Sequence, residues 1–185
     1  MLARDIGLGG VLELKPKRFQ DDRGFFSETF NKDKYRTLGV SADWVQDNHS
    51  FSDRMHTLRG LHYQTPPFAQ DKLVWVVTGA VQDVVVDIRK GSPTFGRWVS
   101  AHISAENGHQ LFVPKGCAHG FLTLTPNVNV VYKVSAPYSP DHDRSIHYND
   151  PDIGINWALE GQSPQLSDKD AGAAFLKDQD TGFAF

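Results

Sequence analysis

An arginine, a histidine and a lysine fall within one short stretch, RGLHYQTPPFAQDK, residues 59–72. Arg59 offers a planar fork of hydrogen-bond donors. His62 is the side chain type that titrates near neutrality, and Lys72 is a compact cation. A fourth group, Tyr132, lies in VNVVYKV, where alternation groups it with Val130 and Val134 on an inward face. A lysine inside a small barrel is costly to bury unless something negative meets it. An enolate formed beside a ketone would qualify, and so would a phosphate oxygen. With His62 as base and the Tyr132 phenol as acid, the set describes proton abstraction next to a carbonyl and return of a proton. Taken singly, each residue has a plainer reading. A buried histidine is more often a hydrogen-bonded core residue, and a tyrosine in a valine-rich strand more often packs. Lys72 at a strand start can keep its ammonium in water, and Asp83 and Asp87 can face solvent. One conflict also stands: alternation puts Arg59 and His62 on opposite faces unless Gly60 forms a bulge.

Spacing also tests for a metal. The segment GHQLFVPKGCAH fits the second cupin motif, with Gly108, Pro114, Gly116 and His119 in register. The first motif asks for H-x-H and for a glutamate seven residues before a glycine. Seven before Gly79 stands Lys72, and His62-Tyr63-Gln64 has no second histidine. An ammonium in the ligand shell repels a divalent ion. A barrel is expected, and a metal is not.

The elements that must position these residues read as short strands between turns. They are RGFFSETF (23–30), DKLVWVVTG (71–79), AVQDVVVDIR (80–89), RWVSAHIS (97–104), GHQLFVP (108–114), HGFLTLT (119–125) and VNVVYKVSAPY (128–138). Many short strands at such spacing predict an all-β sandwich or barrel. Only 31–39 and 166–178 have a helical pattern, with Asn31 and Ser167 as N-caps.

The bulk properties agree with one soluble domain spanning 1–185. A net charge of −3 argues against nucleic-acid binding through a basic surface. The single cysteine, Cys117, cannot form an internal disulfide and fits a reducing cytoplasm. The N-terminus lacks the apolar run of a signal peptide, and no run is long enough to cross a membrane.

The ordered set DDRGFFSETF, QDNHS, LRGLHYQ, DKLVWVVTGAVQDVVVDIRKGSPTFG, LFVPKGCAHGFLTL, YKVSAPYSP and LSDKD resembles the dTDP-4-dehydrorhamnose 3,5-epimerases. The resemblance runs from about residue 10 to about residue 171, and QDNHS, RGLHYQ and SDKD are its most specific parts. It implies a cupin-type jelly roll with a few short helices, working without metal or other cofactor. It implies a dTDP-sugar substrate, dTDP-4-dehydro-6-deoxy-D-glucose, and inversion at C3 and C5. A sister enzyme inverting one carbon would carry the same residues. A non-catalytic sugar-nucleotide-binding cupin would not need acid and base together.

Roles follow from the resemblance position by position. His62 matches the catalytic base, Asp170 the carboxylate paired with it, Lys72 the cation at the enolate oxygen, and Tyr132 the general acid. His119 matches a substrate-contacting histidine, with Asp83 as its carboxylate neighbour. Arg23 and Arg59 match diphosphate contacts; Glu28, Gln46, Asp47 and Asn48 match contacts to the nucleotide or its sugars. Tyr138 matches the aromatic that stacks on thymine, and Asp143 and Lys169 match further substrate contacts. The resemblance also implies a homodimer whose N-terminal strand crosses over, so that Arg23, Phe26 and Glu28 serve the neighbour's site. The tail GAAFLKDQDTGFAF has no counterpart in it, and 166–185 is expected to be helical.

Overall fold

Residues with branched or aromatic side chains dominate the middle of the chain, and the structure uses them in strands. The computed structural model describes residues 1–185, and thirteen strands account for most of its regular structure. One sheet has six strands in the order β1 (Leu2–Asp5), β2 (Leu12–Lys15), β10 (Gln110–Val113), β7 (Lys72–Thr78), β12 (Val128–Val134) and β5 (Gln46–Ser52). The other has five, ordered β13 (Asp143–Ser145), β6 (Leu58–Gln64), β11 (Cys117–Thr123), β8 (Ala80–Asp87) and β9 (Trp98–Ser104). A separate hairpin pairs β3 (Arg18–Asp21) with β4 (Gly24–Ser27). The fold is all-β and of cupin type. No helix is long and apolar enough to cross a membrane.

The two sheets face each other across an apolar core. Val74, Val76 and Val130 of the first meet Val81, Val85, Ile103 and Phe121 of the second. The five-stranded sheet is buried on its other face as well. There Val84, Val86 and Ile88 pack against Ile146, Ile153, Trp157 and Leu176 from the C-terminal third. This double burial explains why Val84, Val85 and Val86 follow one another in β8 with no polar residue between them. It also corrects the solvent-facing reading of Asp83 and Asp87, since both are fully buried. Asp87 is held by Arg89, Ser92 and Thr94, which hydrogen-bond to its carboxylate.

Both expected N-caps are present. Asn31 accepts from the Lys34 N–H at the start of α1 (Lys32–Thr37), and Ser167 accepts from Asp170 N–H at the start of α2 (Asp168–Ala171). The tail departs from expectation. Only α2 and one 3-10 turn at Leu176–Asp178 are helical between 166 and 185. Tertiary packing overrides the local pattern here: the backbone bridges Ile146 to Ala174 and Lys90 to Ala184, while Leu176 and Phe183 pack on the outer face of the sheet.

Candidate active site

Three residues from three strands meet in one cavity of about 410 Å³. Lys72 opens β7, and alternation puts it on the same inward face as Val74 and Val76. Tyr132 on β12 faces inward with Val130 and Val134 as alternation requires, and Val134 pairs with Lys72 across the strands. His62 comes from β6, in the opposite sheet. The His62 imidazole and the Tyr132 phenol therefore stand on facing walls.

The conflict between Arg59 and His62 is resolved by a bulge. His62 pairs with His119, but Arg59 pairs with Phe121, so two residues of β6, Gly60 and Leu61, oppose the single Gly120 of β11. Leu58, Leu61 and Tyr63 join the outer cluster, while Arg59 and His62 both line the cavity. Gly60 permits this. Its φ is +121°, and a Cβ there would sit 2.6 Å from Gly120 Cα and 2.8 Å from the His119 carbonyl oxygen.

Both histidines of the site are paired with carboxylates. His62 Nε2 is 2.6 Å from Asp170 Oδ1, and the Gly60 N–H points at Oδ2. Burial pushes the Asp170 carboxyl up, but hydrogen bonds from His62, Gly60 and Ser167 outweigh it and hold the group below its ordinary value. Asp170 reaches His62 because the chain before α2 is stitched to the start of β6. Leu58 N–H donates to the Gln165 carbonyl at 2.9 Å, and Gln165 N–H to the His56 carbonyl at 2.8 Å. A second pair lies beside the first: His119 Nε2 is 2.7 Å from Asp83 Oδ1.

Lys72 is only 7% exposed and donates to the His62 carbonyl at 3.2 Å. Burial lowers its pKa to about 8; Asp143 and Asp83 pull it back up in part, and Lys169 opposes them. Burial has the converse effect on Tyr132, raising its phenol above the usual value. The phenol therefore keeps its proton at neutral pH, while Lys72 remains mostly charged.

A smaller hollow of about 220 Å³ shares His62, Lys72, Tyr132 and Lys169 with the first. Its other walls include Gln46, Asn48, Tyr138 and Asp143. The Tyr138 hydroxyl donates to Asp143, which also pairs with Lys169. Tyr138 is otherwise exposed. Arg59 is steadied by Ser52 Oγ at 3.1 Å and the Phe51 carbonyl at 2.8 Å.

Thus His62, Lys72, Tyr132, Asp170, Arg59, His119 and Lys169 line the larger cavity, and Gln46, Asn48, Tyr138 and Asp143 the smaller. Asp83 supports His119 from behind. Besides Asp83, four expected residues line neither. Asp47 alternates outward between Gln46 and Asn48 and pairs with Lys133 at 2.9 Å. Arg23, Phe26 and Glu28 belong to the β3–β4 hairpin and the chain just after it, with Arg23 paired to Asp21 and Glu28 to Lys34. Ser50, Thr57, Phe121 and Gln165 line the larger cavity without having been singled out in the sequence. Ser50 continues the Gln46, Asn48 alternation and Phe121 follows His119 by two, so period two would have found both. Gln165 carries no such signal. No three His, Cys, Asp or Glu side chains converge to hold a metal anywhere in the chain.

Comparison with known proteins fits this geometry. The family model for dTDP-4-dehydrorhamnose 3,5-epimerase matches residues 5–178. The dTDP-4-dehydrorhamnose 3,5-epimerase of Sinorhizobium fredii (strain NBRC 101917 / NGR234) is 46% identical over 185 residues, covering 100% of this chain and 94% of that protein. The crystal structure of the Bacillus anthracis str. Ames epimerase, with TDP and PPi bound, superposes with a TM-score of 0.91 at 48% identity. That match covers 94% of this chain and 98% of the other. A dTDP-6-deoxy-D-glucose-3,5-epimerase from Legionella pneumophila Philadelphia 1, in complex with dTDP-4-keto-L-rhamnose, gives 0.92 at 45% identity, covering 97% and 94%. A histidine paired with a carboxylate, a phenol and a buried ammonium sharing one cavity are thus accompanied by similarity along nearly the whole chain, which belongs to the dTDP-4-dehydrorhamnose 3,5-epimerase family.

Proposed function

We propose that this protein inverts C3 and C5 of dTDP-4-dehydro-6-deoxy-D-glucose, giving dTDP-4-dehydro-L-rhamnose for dTDP-L-rhamnose biosynthesis. The observation that carries the reading is the placement of His62 and Tyr132 on facing sheets, with Lys72 between them in sequence and beside both in the cavity. Inversion requires a proton to leave one face of the sugar and another to arrive on the opposite face. A base and an acid on facing walls meet that requirement.

The C4 ketone acidifies the hydrogens on C3 and C5. His62 takes the proton, and the buried carboxylate of Asp170 stabilises the imidazolium that forms. Negative charge moves to the C4 oxygen, where the buried Lys72 ammonium neutralises it. Tyr132 then donates its phenolic proton to the opposite face, and the phenolate left behind takes a proton from solvent before the second carbon reacts. The His62 side chain is 33% exposed, so the base can return its proton to solvent before the second carbon reacts. Arg59 and Lys169 supply positive charge for the diphosphate, and the Tyr138 ring is available for the thymine.

The reading includes a second copy of the chain. Arg23 and Glu28 lie away from the cavity, and Phe19, Phe25 and Phe26 are exposed on the hairpin. A homodimer in which each hairpin reaches the neighbour's site gives these side chains both cover and a task. Light scattering that finds only monomers at micromolar concentration would remove this part.

The test is incubation with the dTDP-4-keto sugar in deuterated water, followed by NMR, with a reductase to trap the L-sugar. Deuterium at both C3 and C5 with L-sugar formed supports the reading. Incorporation at one carbon would assign the protein to the single-site relatives, whose acid, base and cation would be the same. No incorporation would overturn the enzyme reading for this substrate.

A further inference from the structure

Four buried polar side-chain atoms have no hydrogen-bond partner: Ser50 Oγ, His56 Nε2, Asp83 Oδ2 and Ser145 Oγ. Only Ser50 among these residues lines the cavity that holds His62, Lys72 and Tyr132. It sits on β5, two residues after Asn48, and Asn48 is the direct cross-strand partner of Tyr132. Ser50 pairs with Val130, which shares the inward face with Tyr132. Ser50 and Tyr132 are thus diagonal neighbours on one wall, at a separation of roughly 7 Å between such positions.

A buried hydroxyl without a partner costs the fold stability, and such groups are rare. No protein group within hydrogen-bond distance meets the Ser50 hydroxyl, and the Arg59 guanidinium in the same cavity is directed to Ser52 Oγ and the Phe51 carbonyl. One rotation about χ1 moves a serine hydroxyl between staggered positions, and the cavity is the open space beside this one. A hydroxyl kept unpaired beside the catalytic phenol has a use when a polar ligand atom fills that space.

We infer that Ser50 is a substrate-positioning residue whose hydroxyl hydrogen-bonds to an oxygen of the sugar ring or its substituents, holding the reacting carbon against Tyr132. The inference rests on the proposed epimerase reading and deepens it. Ser50 contacts the sugar and not the nucleotide, because it stands beside Tyr132 in the larger cavity and is absent from the smaller hollow, whose walls include Tyr138.

The test is Ser50→Ala, which deletes one oxygen and leaves the packing otherwise intact. Three quantities are measured on wild type and variant: turnover of the dTDP-4-keto sugar, affinity for dTDP alone, and the urea unfolding midpoint. Expected is a loss of roughly five- to thirtyfold in kcat/KM, the scale of one hydrogen bond, with dTDP affinity unchanged. The urea midpoint should stay the same or rise, since an unsatisfied buried hydroxyl has gone. A serine with a purely structural role would give the reverse pattern, a lower midpoint and unchanged kcat/KM, and that result overturns the inference. Equal loss of affinity for dTDP alone also overturns it, by moving the contact to the nucleotide. If the wild-type protein fails to turn over the sugar, the epimerase reading has failed. If wild type is active and Ser50→Ala matches it, only the Ser50 assignment has.

Discussion

His62 and Asp170 are 108 residues apart in the chain, yet His62 Nε2 lies 2.6 Å from Asp170 Oδ1. Backbone hydrogen bonds between the 165 segment and the start of β6 bring them together, and the Ser167 cap fixes the turn that carries the carboxylate. A base held this way should be both indispensable and dependent on its partner. Replacing His62 with alanine should lower kcat by roughly two to four orders of magnitude, the usual scale for a positioned base. Asp170→Asn keeps the size and removes the charge that favours the imidazolium. It should lower kcat by roughly tenfold or more with little change in KM, because Asp170 is buried behind His62. Steady-state kinetics on both variants checks this; near-full activity of His62→Ala would show that the base is another residue.

Lys72 gives a pH dependence with a definite sign. Its folded pKa of about 8 lies below the ordinary lysine value because burial penalises the ammonium. Enolate stabilisation needs the charged form, so kcat/KM should fall as pH rises through about 8. The same shift acts on stability in the opposite sense. Between about 8 and 10.4 the unfolded chain holds a proton on Lys72 that the folded chain does not, so this group favours folding more as pH rises through that window. At pH 7 the buried ammonium is a burden. Lys72→Met should therefore be inactive yet at least as resistant to urea as wild type at pH 7. A variant both inactive and markedly less stable would mean that Lys72 is a structural cation.

Tyr132 and His62 face each other from different sheets, so loss of the phenol should uncouple two steps. In Tyr132→Phe the base still removes a proton, and His62 can return deuterium to the face it came from. Deuterated water should then label C3 or C5 with retained configuration, while inversion slows by roughly a hundredfold or more. NMR of the recovered sugar separates the two outcomes. Inversion at the wild-type rate would show that another group, or water, is the acid.

The parts of this site that could be read along the chain are those that obey a period. Tyr132 faces inward because Val130 and Val134 do, and Lys72 stands where a metal-binding barrel would place a carboxylate. The strands from β7 to β12 were legible for the same reason. The strand β5 was not read as a strand, since QDNHSFS has no apolar alternation: its inward side chains form a polar cavity wall. Asp83 and Asp87 defeat a local reading because burial on both faces of β8 depends on the C-terminal third, which packs there only in the folded molecule. The tail misled for a related reason. Its apolar residues at Leu176 and Phe183 serve a sheet surface, and they do not form a helical stripe. Asp170 was placed by family resemblance alone, because no spacing rule connects it to β6.

The bulge in β6 yields the last prediction. Gly60 combines a φ of +121° with backbone atoms 2.6 and 2.8 Å from where a Cβ would stand, and those atoms belong to His119 and Gly120 in the neighbouring strand. Backbone cannot swing aside as a side chain can. Gly60→Ala should cost about 1–3 kcal/mol for the backbone conformation and a similar amount for the forced separation of β6 from β11. Gly91→Ala provides the comparison, because Gly91 also has a positive φ, +85°, but open space around it. It should show the conformational cost alone. The site should respond differently too. Moving β6 away from β11 shifts His62 relative to Asp170, so folded Gly60→Ala should lose kcat, while Gly91→Ala keeps it. Urea melts and kinetics on the pair settle the matter: equal stability losses in the two variants would mean that β6 and β11 are not pressed together at Gly60.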